Sequence, residues 1–458
     1  MRKLLCAALV GAVLAQAQAQ NVAESTWGPV VDGRIEGMLL LDLVDSADPE
    51  ALAHDYGFQL EFVSVHSRRD KLMVARLDES QLEETLTALR KDDRVTAVSP
   101  NYVCAVASEA GPATGYSSAQ KFPDDPLYKI QWNLHMINVE GGWKQNAGQN
   151  VRVAMVDTGL AYWNAEGHHQ LEDLQGLKVL EGYDFVRDRV EAMDELGQGS
   201  HMAGTIAQST NNGKGAAGIA YETQIMPFKV LDRQGRGTMA DVAAGIRLAG
   251  DRKAHVIVLG LGGPKPSDVL HEAIRHARAQ GAVIIAATGV KPNEEVPYPA
   301  AYPEVIAVSA VDYKEKLTSY TTRGPKIDIA APGGQNRQTD YSGITQNTIR
   351  QGDARTSGYY QWSGTSMAAA HVAGVAALIQ STGVEGPEAV EKILKETARS
   401  KGAKGQKQGY GAGIVDAGRA VARAQEVAAY QQLQRQLPCA IFLAVLAAVA
   451  VRRRKACS

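Results

Sequence analysis

Between residues 151 and 310 the chain repeats one pattern: a short, almost wholly apolar run, then a stretch of helical spacing. Val151–Val156, Gln224–Val230, His255–Leu259, Ala282–Ala287 and Val305–Ala310 read as strands. His201–Gln208, Met239–Ala249, Val269–Gln280 and, further on, Ser366–Gln380 read as helices. Strands that are apolar on both faces must be covered on both faces, and strand–helix alternation supplies that cover. The pattern predicts an α/β fold of three layers with a mostly parallel central sheet. In such sheets chemistry gathers at the carboxyl ends of the strands. A formal net charge of −2 gives no reason to expect a nucleic-acid partner.

Upstream, residues 33–104 read as a small α+β unit. Ile35–Val44, Phe58–Val65, Leu72–Leu77 and Val95–Val103 are strand candidates. Asp48-Pro49-Glu50 opens one helix, because Asp caps and Pro suits the first turn. Leu82, Leu86 and Leu89 mark a second helix. The order β-α-β-β-α-β is the split βαβ arrangement. Residues 105–123, small and polar, read as a linker open to proteolysis. The main domain is expected over 124–425.

The two ends carry targeting features. Arg2 and Lys3 precede the apolar run Leu4–Leu14, and Ala-x-Ala patterns follow at Ala15–Ala19, so residues 1–20 read as a secretory signal peptide. Residues 437–455 join an apolar stretch, Leu437–Val451, to the basic cluster Arg452–Lys455. That reads as a membrane anchor or a removable sorting tail. The expected location is beyond the cytoplasmic membrane: periplasmic, at the surface or secreted, anchored if the tail is kept. No cysteine lies between Cys104 and Cys439. A disulfide-free exported domain relies on core size, with bound metal as a further aid.

Three stretches carry chemistry. An apolar strand runs into Asp157-Thr158-Gly159. A glycine-flanked turn, Gly197-Gln198-Gly199-Ser200-His201, opens a helix of small residues. Gly364-Thr365-Ser366 feeds a second such helix, placing Ser366 where free backbone N–H groups favour a developing negative charge. A serine hydroxyl needs a base, and the base needs a carboxylate to orient it. Asp157, His201 and Ser366 fill those roles in the order Asp, His, Ser.

With these motifs in that order, residues 124–425 resemble the catalytic domain of the subtilisin-like serine peptidases, the subtilases. Residues 33–103 look like the family's inhibitory propeptide, which would act as an intramolecular inhibitor and chaperone. Gly260-Leu261-Gly262-Gly263, Tyr298–Pro303 and Ala330–Gly333 are similar to family segments. The resemblance implies Asp157 as orienting carboxylate, His201 as general base and Ser366 as nucleophile. It also implies a polypeptide substrate held by Gly260, Leu261, Gly262 and Gly237, in a protein expected to be a monomer. A structural Ca2+ site at Asp125, Asp173 and Asn212 is implied too. His168 and His169 have no companions at metal-ligand spacing, so zinc is set aside.

The chain departs from the family pattern in four places. Gly-His-Gly-Thr-His becomes Gly197-Gln198-Gly199-Ser200-His201, with Gln198 read as a neighbour of the base. Asn-x-Ser-Leu-Gly becomes Val258-Leu259-Gly260-Leu261-Gly262. The Pro four residues after the nucleophile is Ala370. The oxyanion Asn is Val290, which leaves the Ser366 N–H and the Thr365 hydroxyl, with Asn293 a distant substitute. Two readings follow: a serine endopeptidase slowed by Val290, or a silent pseudoprotease that binds polypeptide as a membrane-anchored scaffold. A nucleotide-binding domain is disfavoured, because Gly235-Arg236-Gly237 and Gly260-Leu261-Gly262 lack the dinucleotide fingerprint.

Overall fold

The computed structural model describes residues 27–112, 122–165, 167–335, 341–401 and 407–436. The segments read as signal peptide and tail, 1–20 and 437–455, lie outside the described residues.

The N-terminal unit is an antiparallel sheet in the order Val95–Val106, Arg34–Leu43, Leu72–Arg76, Gln59–Phe62. The helices Pro49–Tyr56 and Leu82–Leu89 cover one face. Asp48 caps the first by accepting from Glu50 N at 3.0 Å, and Gly57 ends it at φ 70°. Strand side chains alternate between faces, and with both faces covered Arg34–Leu43 is buried nearly throughout. Leu39 and Leu41 join the small core with Leu52, Leu82 and Leu86. Met38 and Leu40 join a second core with Ile246, Val269 and Leu270 of the main domain. Asp42 on that second face pairs with Arg247, and the Ser99 and Ser267 hydroxyls lie 2.7 Å apart.

The main sheet runs Ile329–Pro332, Val305–Val311, Val283–Ala287, Val256–Leu259, Arg152–Asp157, Gln224–Lys229, Lys178–Val179, with every neighbouring pair parallel. Along Arg152–Asp157, Val153 and Met155 enter one core while Ala154 and Val156 enter the other. The helices Gln198–Ala207 and Thr365–Gln380 cover the first face; Met239–Asp251 and Asp268–Ala279 cover the second.

Two features differ from the sequence reading. Residues 105–112 are strand rather than linker: Val95–Val106 continues past Val103, and Ser108–Pro112 follows as another strand. A hairpin, Ile344–Arg350 with Asp353–Gly364, stands beside the main sheet, and Ser108–Pro112 pairs with its second strand. The hairpin's large apolar residues, Ile344, Ile349 and Trp362, stand among polar and small ones with no run of alternation, so no clear apolar period announces the strands.

Candidate active site

The site forms where the central strands end. Asp157 is the last residue of its strand and is fully buried. Gly159 turns the chain away at φ 103°, and an added Cβ there would lie 2.6 Å from Ala192 O, so only glycine fits. The Asp157 carboxylate accepts from Thr158 N at 2.8 Å. Both of its oxygens also accept from Gln198 Nε2, each at 2.9 Å. Burial pushes its pKa up to about 6, against the lowering pull of the Gln198 bond.

Gln198 is therefore the partner of Asp157, and His201 is not. Three residues along a helix rises about 4.5 Å and turns about 60° away. His201 accordingly enters the core, where its ring lies 5.7 Å from Trp362 and its Nε2 sits 2.8 Å from Ile344 O. Neither ring nitrogen bonds to Asp157 or Ser366. Burial lowers its pKa to about 3, so the imidazole is neutral. This corrects the assignment of His201 as base: of the two histidines in Gly-His-Gly-Thr-His, the one facing the carboxylate is the first, and Gln198 stands there. The adjacent glycines could have shown this. Gly197 turns into the helix at φ 108°, and a Cβ on Gly199 would lie 2.1 Å from Gly159 O. The helix start is thus pressed onto the Asp157 turn, and residue 198 faces it.

Ser366 lies in the first turn of its helix, fully buried. Its Oγ donates to Gly260 O at 2.8 Å. That carbonyl also accepts from Gln198 Nε2 at 3.1 Å and from Ala107 N at 3.2 Å. The Ser366 N–H points to Ala107 O at 3.4 Å, the position of an oxyanion donor. Thr365 Oγ1 accepts from Gly289 N at 3.0 Å. Val290 packs half-buried against the core and offers no donor. It lines, with Asn293, Gly262 and Tyr298, a cleft of about 1020 Å³.

The chain's own segment runs through this cleft. Cys104 pairs antiparallel with Gly237, Ala105 with Gly262, and Val106 with Leu261. Gly237, Gly260, Leu261 and Gly262, expected to hold a substrate backbone, hold this one. Past Ala107 the chain continues unbroken, with Ser108 opposite Gly364 and Pro112 opposite Tyr360. Ser108 Oγ donates to Gln198 Oε1.

Asp125, Asp173 and Asn212 also converge, but their donor set does not suit calcium. That cation takes six to eight oxygens. Here the Asp125 oxygens accept from Asn211 N at 2.8 Å and Asn212 N at 3.4 Å. The Asp173 oxygens accept from Asn212 Nδ2 at 2.8 Å and Ala216 N at 3.0 Å. Asn212 turns its amide nitrogen, not its oxygen, to Asp173, and its Oδ1 is used by Lys214 N at 2.9 Å. Among the described residues no three His, Cys, Asp or Glu side chains form a metal site. Hydrogen bonds close this loop where the resemblance implied a cation.

Asp at a strand end, Ser at a helix start and an extended segment between define the framework of a serine-type endopeptidase. The chain belongs to the subtilase family, whose model matches residues 148–413. It is similar to "Thermitase" of Thermoactinomyces vulgaris, 38% identical over 262 residues, covering 57% of this chain and 86% of that one. It is similar to "Thermophilic serine proteinase" of Bacillus sp. (strain AK1), 35% identical over 317 residues, covering 69% and 71%. Among solved structures, fervidolysin from Fervidobacterium pennivorans, "a keratinolytic enzyme related to subtilisin", superposes with a TM-score of 0.71. It shares 26% identity, over 86% of this chain and 62% of that one.

Proposed function

We propose that this subtilisin-like peptidase is a silent member of its family, which holds an extended polypeptide strand in its cleft without cutting it. The observation that carries this reading is Gln198 against Asp157. Acyl transfer needs a group that takes the Ser366 proton and returns it to the leaving amine. A carboxamide does neither near neutral pH. The Ser366 proton is directed at a backbone carbonyl, Gly260 O, which is no base. The Asp157 carboxylate could accept a proton, but Gln198 Nε2 caps both of its oxygens. Loss of the histidine alone costs roughly 10⁶-fold in a subtilisin. Val290 removes a further donor.

The ligand strand is polypeptide, and the occupant at hand is the chain's own residues 104–112. Residues 33–104 act as the inhibitor-like unit that delivers it, and 124–425 as the receiving domain. Export by residues 1–20 and retention at a membrane by residues 437–455 complete the reading. Their support is the Arg2-Lys3 start with its apolar run and the Arg452–Lys455 cluster. Among the described residues no helix is long and apolar enough to cross a membrane.

The test is the mass of the purified chain over time, beside Ser366→Ala, with a fluorophosphonate probe of Ser366. Intact chain is expected for both, with no labelling of the wild type above that of Ser366→Ala. Cleavage between Ala107 and Ser108 in the wild type alone overturns the reading.

A further inference from the structure

We infer that Gln198 is a binding residue for the strand in the cleft, and that with Ser108 it forms a latch retaining residues 104–112 as a permanent built-in ligand. The inference rests on the silent reading above.

The network around Gln198 is complete. One amide N–H faces the Asp157 carboxylate, the other faces Gly260 O, and Oε1 accepts from Ser108 Oγ. A decayed catalytic position would leave a buried polar group short of partners, and burying such a group unpaired is costly. Gln198 has a fixed partner on both sides, one of them on the strand itself. Ser108 follows directly the residue whose carbonyl meets the Ser366 N–H, so the latch grips the strand at its midpoint.

The two halves of the strand are held as well. Cys104–Val106 lies between Arg236–Thr238 and Leu261–Gly262, and Ser108–Pro112 adds to the edge of Asp353–Gly364. Main-chain pairing on an exposed edge accepts any extended segment, and side-chain contacts select among them. Gln198 Oε1 needs a donor, so it selects a hydroxyl residue at the position of Ser108. The ligand class is an extended strand with a small residue followed by Ser or Thr.

The experiment is amide hydrogen exchange on the intact chain, comparing wild type with Ser108→Ala, Ser108→Thr and Gln198→Met, and the last combined with Ser108→Ala. Residues 104–112 are expected to be protected in the wild type and in Ser108→Thr. They should exchange about tenfold faster in Ser108→Ala, the scale of one lost buried hydrogen bond. Protection within Arg34–Leu43 serves as the folding control. Adding Ser108→Ala to Gln198→Met should produce no further increase. Unchanged exchange in Ser108→Ala, or additive effects in the double variant, overturns the latch. Failure of the silent reading shows separately, as a mass loss at Ala107–Ser108 in the wild type.

Discussion

A Cβ built on Gly260 would stand 2.9 Å from Gln198 Nε2 and 2.4 Å from Asp157 Oδ2. Glycine at 260 lets the end of the strand pack directly on Asp157, Met202 and Gln198. The glutamine amide is the third of these neighbours, and it uses the Gly260 carbonyl as an acceptor.

Gly260→Ala should consequently be overpacked against Asp157, Gln198 and Met202 Sδ, the last at 2.6 Å. A cost of about 1–3 kcal/mol is expected for such crowding. Thermal unfolding should show a midpoint lower by several degrees. An unchanged midpoint would mean that the Gln198 side chain moves aside freely.

Restoring catalysis should require the base before the oxyanion donor. Val290→Asn alone is expected to remain inactive, because nothing takes the Ser366 proton. Gln198→His with Gly260→Ser should bring the first detectable cleavage after Ala107. Adding Val290→Asn should raise that rate by roughly 10²–10³-fold, the usual worth of such a donor. Activity in Val290→Asn by itself would show that another group serves as base.

Acid should weaken the fold through its buried imidazoles. Burial depresses the His201 pKa to about 3 and the His371 pKa to about 4, both below the unfolded value near 6.5. The unfolded chain therefore binds more protons below pH 6.5, and the stability these groups contribute is lost as pH falls from there toward 4 and 3. Asp42, Asp157 and Asp173, each raised to about 6 chiefly by burial, act in the opposite direction between pH 6 and 4. The difference between wild type and His201→Gln isolates one histidine. Denaturant titrations from pH 6.5 to 4.5 should show the wild type losing up to about 1.4 kcal/mol per pH unit more than the variant.

Chelation should leave the loop at Asp125, Asp173 and Asn212 intact. Its carboxylates are met by backbone and amide N–H groups, so a chelator is expected to leave the unfolding midpoint where it is. A large drop with a chelator, recovered by calcium, would show that the loop rearranges around a cation.

Cys104 reports on the cleft. Its side chain is buried beneath the strand pairing, and burial pushes its thiol pKa well up, so the reactive thiolate is suppressed. A thiol reagent should modify it slowly in the native protein and about tenfold faster in Ser108→Ala, the same factor expected for amide exchange. Equal rates would mean that the strand leaves the cleft without regard to the latch.

The parallel sheet and its covering helices were legible because strands buried on both faces leave unbroken apolar runs. Asp157 and Ser366 were legible because a strand end and a helix start fix where they point. The histidine was misread because two candidates, 198 and 201, share one helix turn. Only the packing of Gly199 on Gly159 O decides which faces the carboxylate. The chemistry of the loop at Asp125, Asp173 and Asn212 is not legible in the sequence, because a side-chain amide presents either its oxygen or its nitrogen from the same letter. The strand at 105–112 was taken for linker because Ser, Glu, Ala, Gly and Pro carry no apolar period. Its order comes from partner strands far along the chain.

That distance governs how the molecule is made. Val106 pairs with Leu261, which leaves the ribosome 155 residues later (261 − 106), and Ser108 with Gly364, 256 residues later (364 − 108). During synthesis the N-terminal sheet can form early, while its last strand extends from it with no partner edges yet available. In the folded chain the cleft is never far from its ligand, because both belong to one polypeptide. Whatever competes for residues 104–112 does so most easily before the hairpin and the helix beginning at Thr365 have folded onto them.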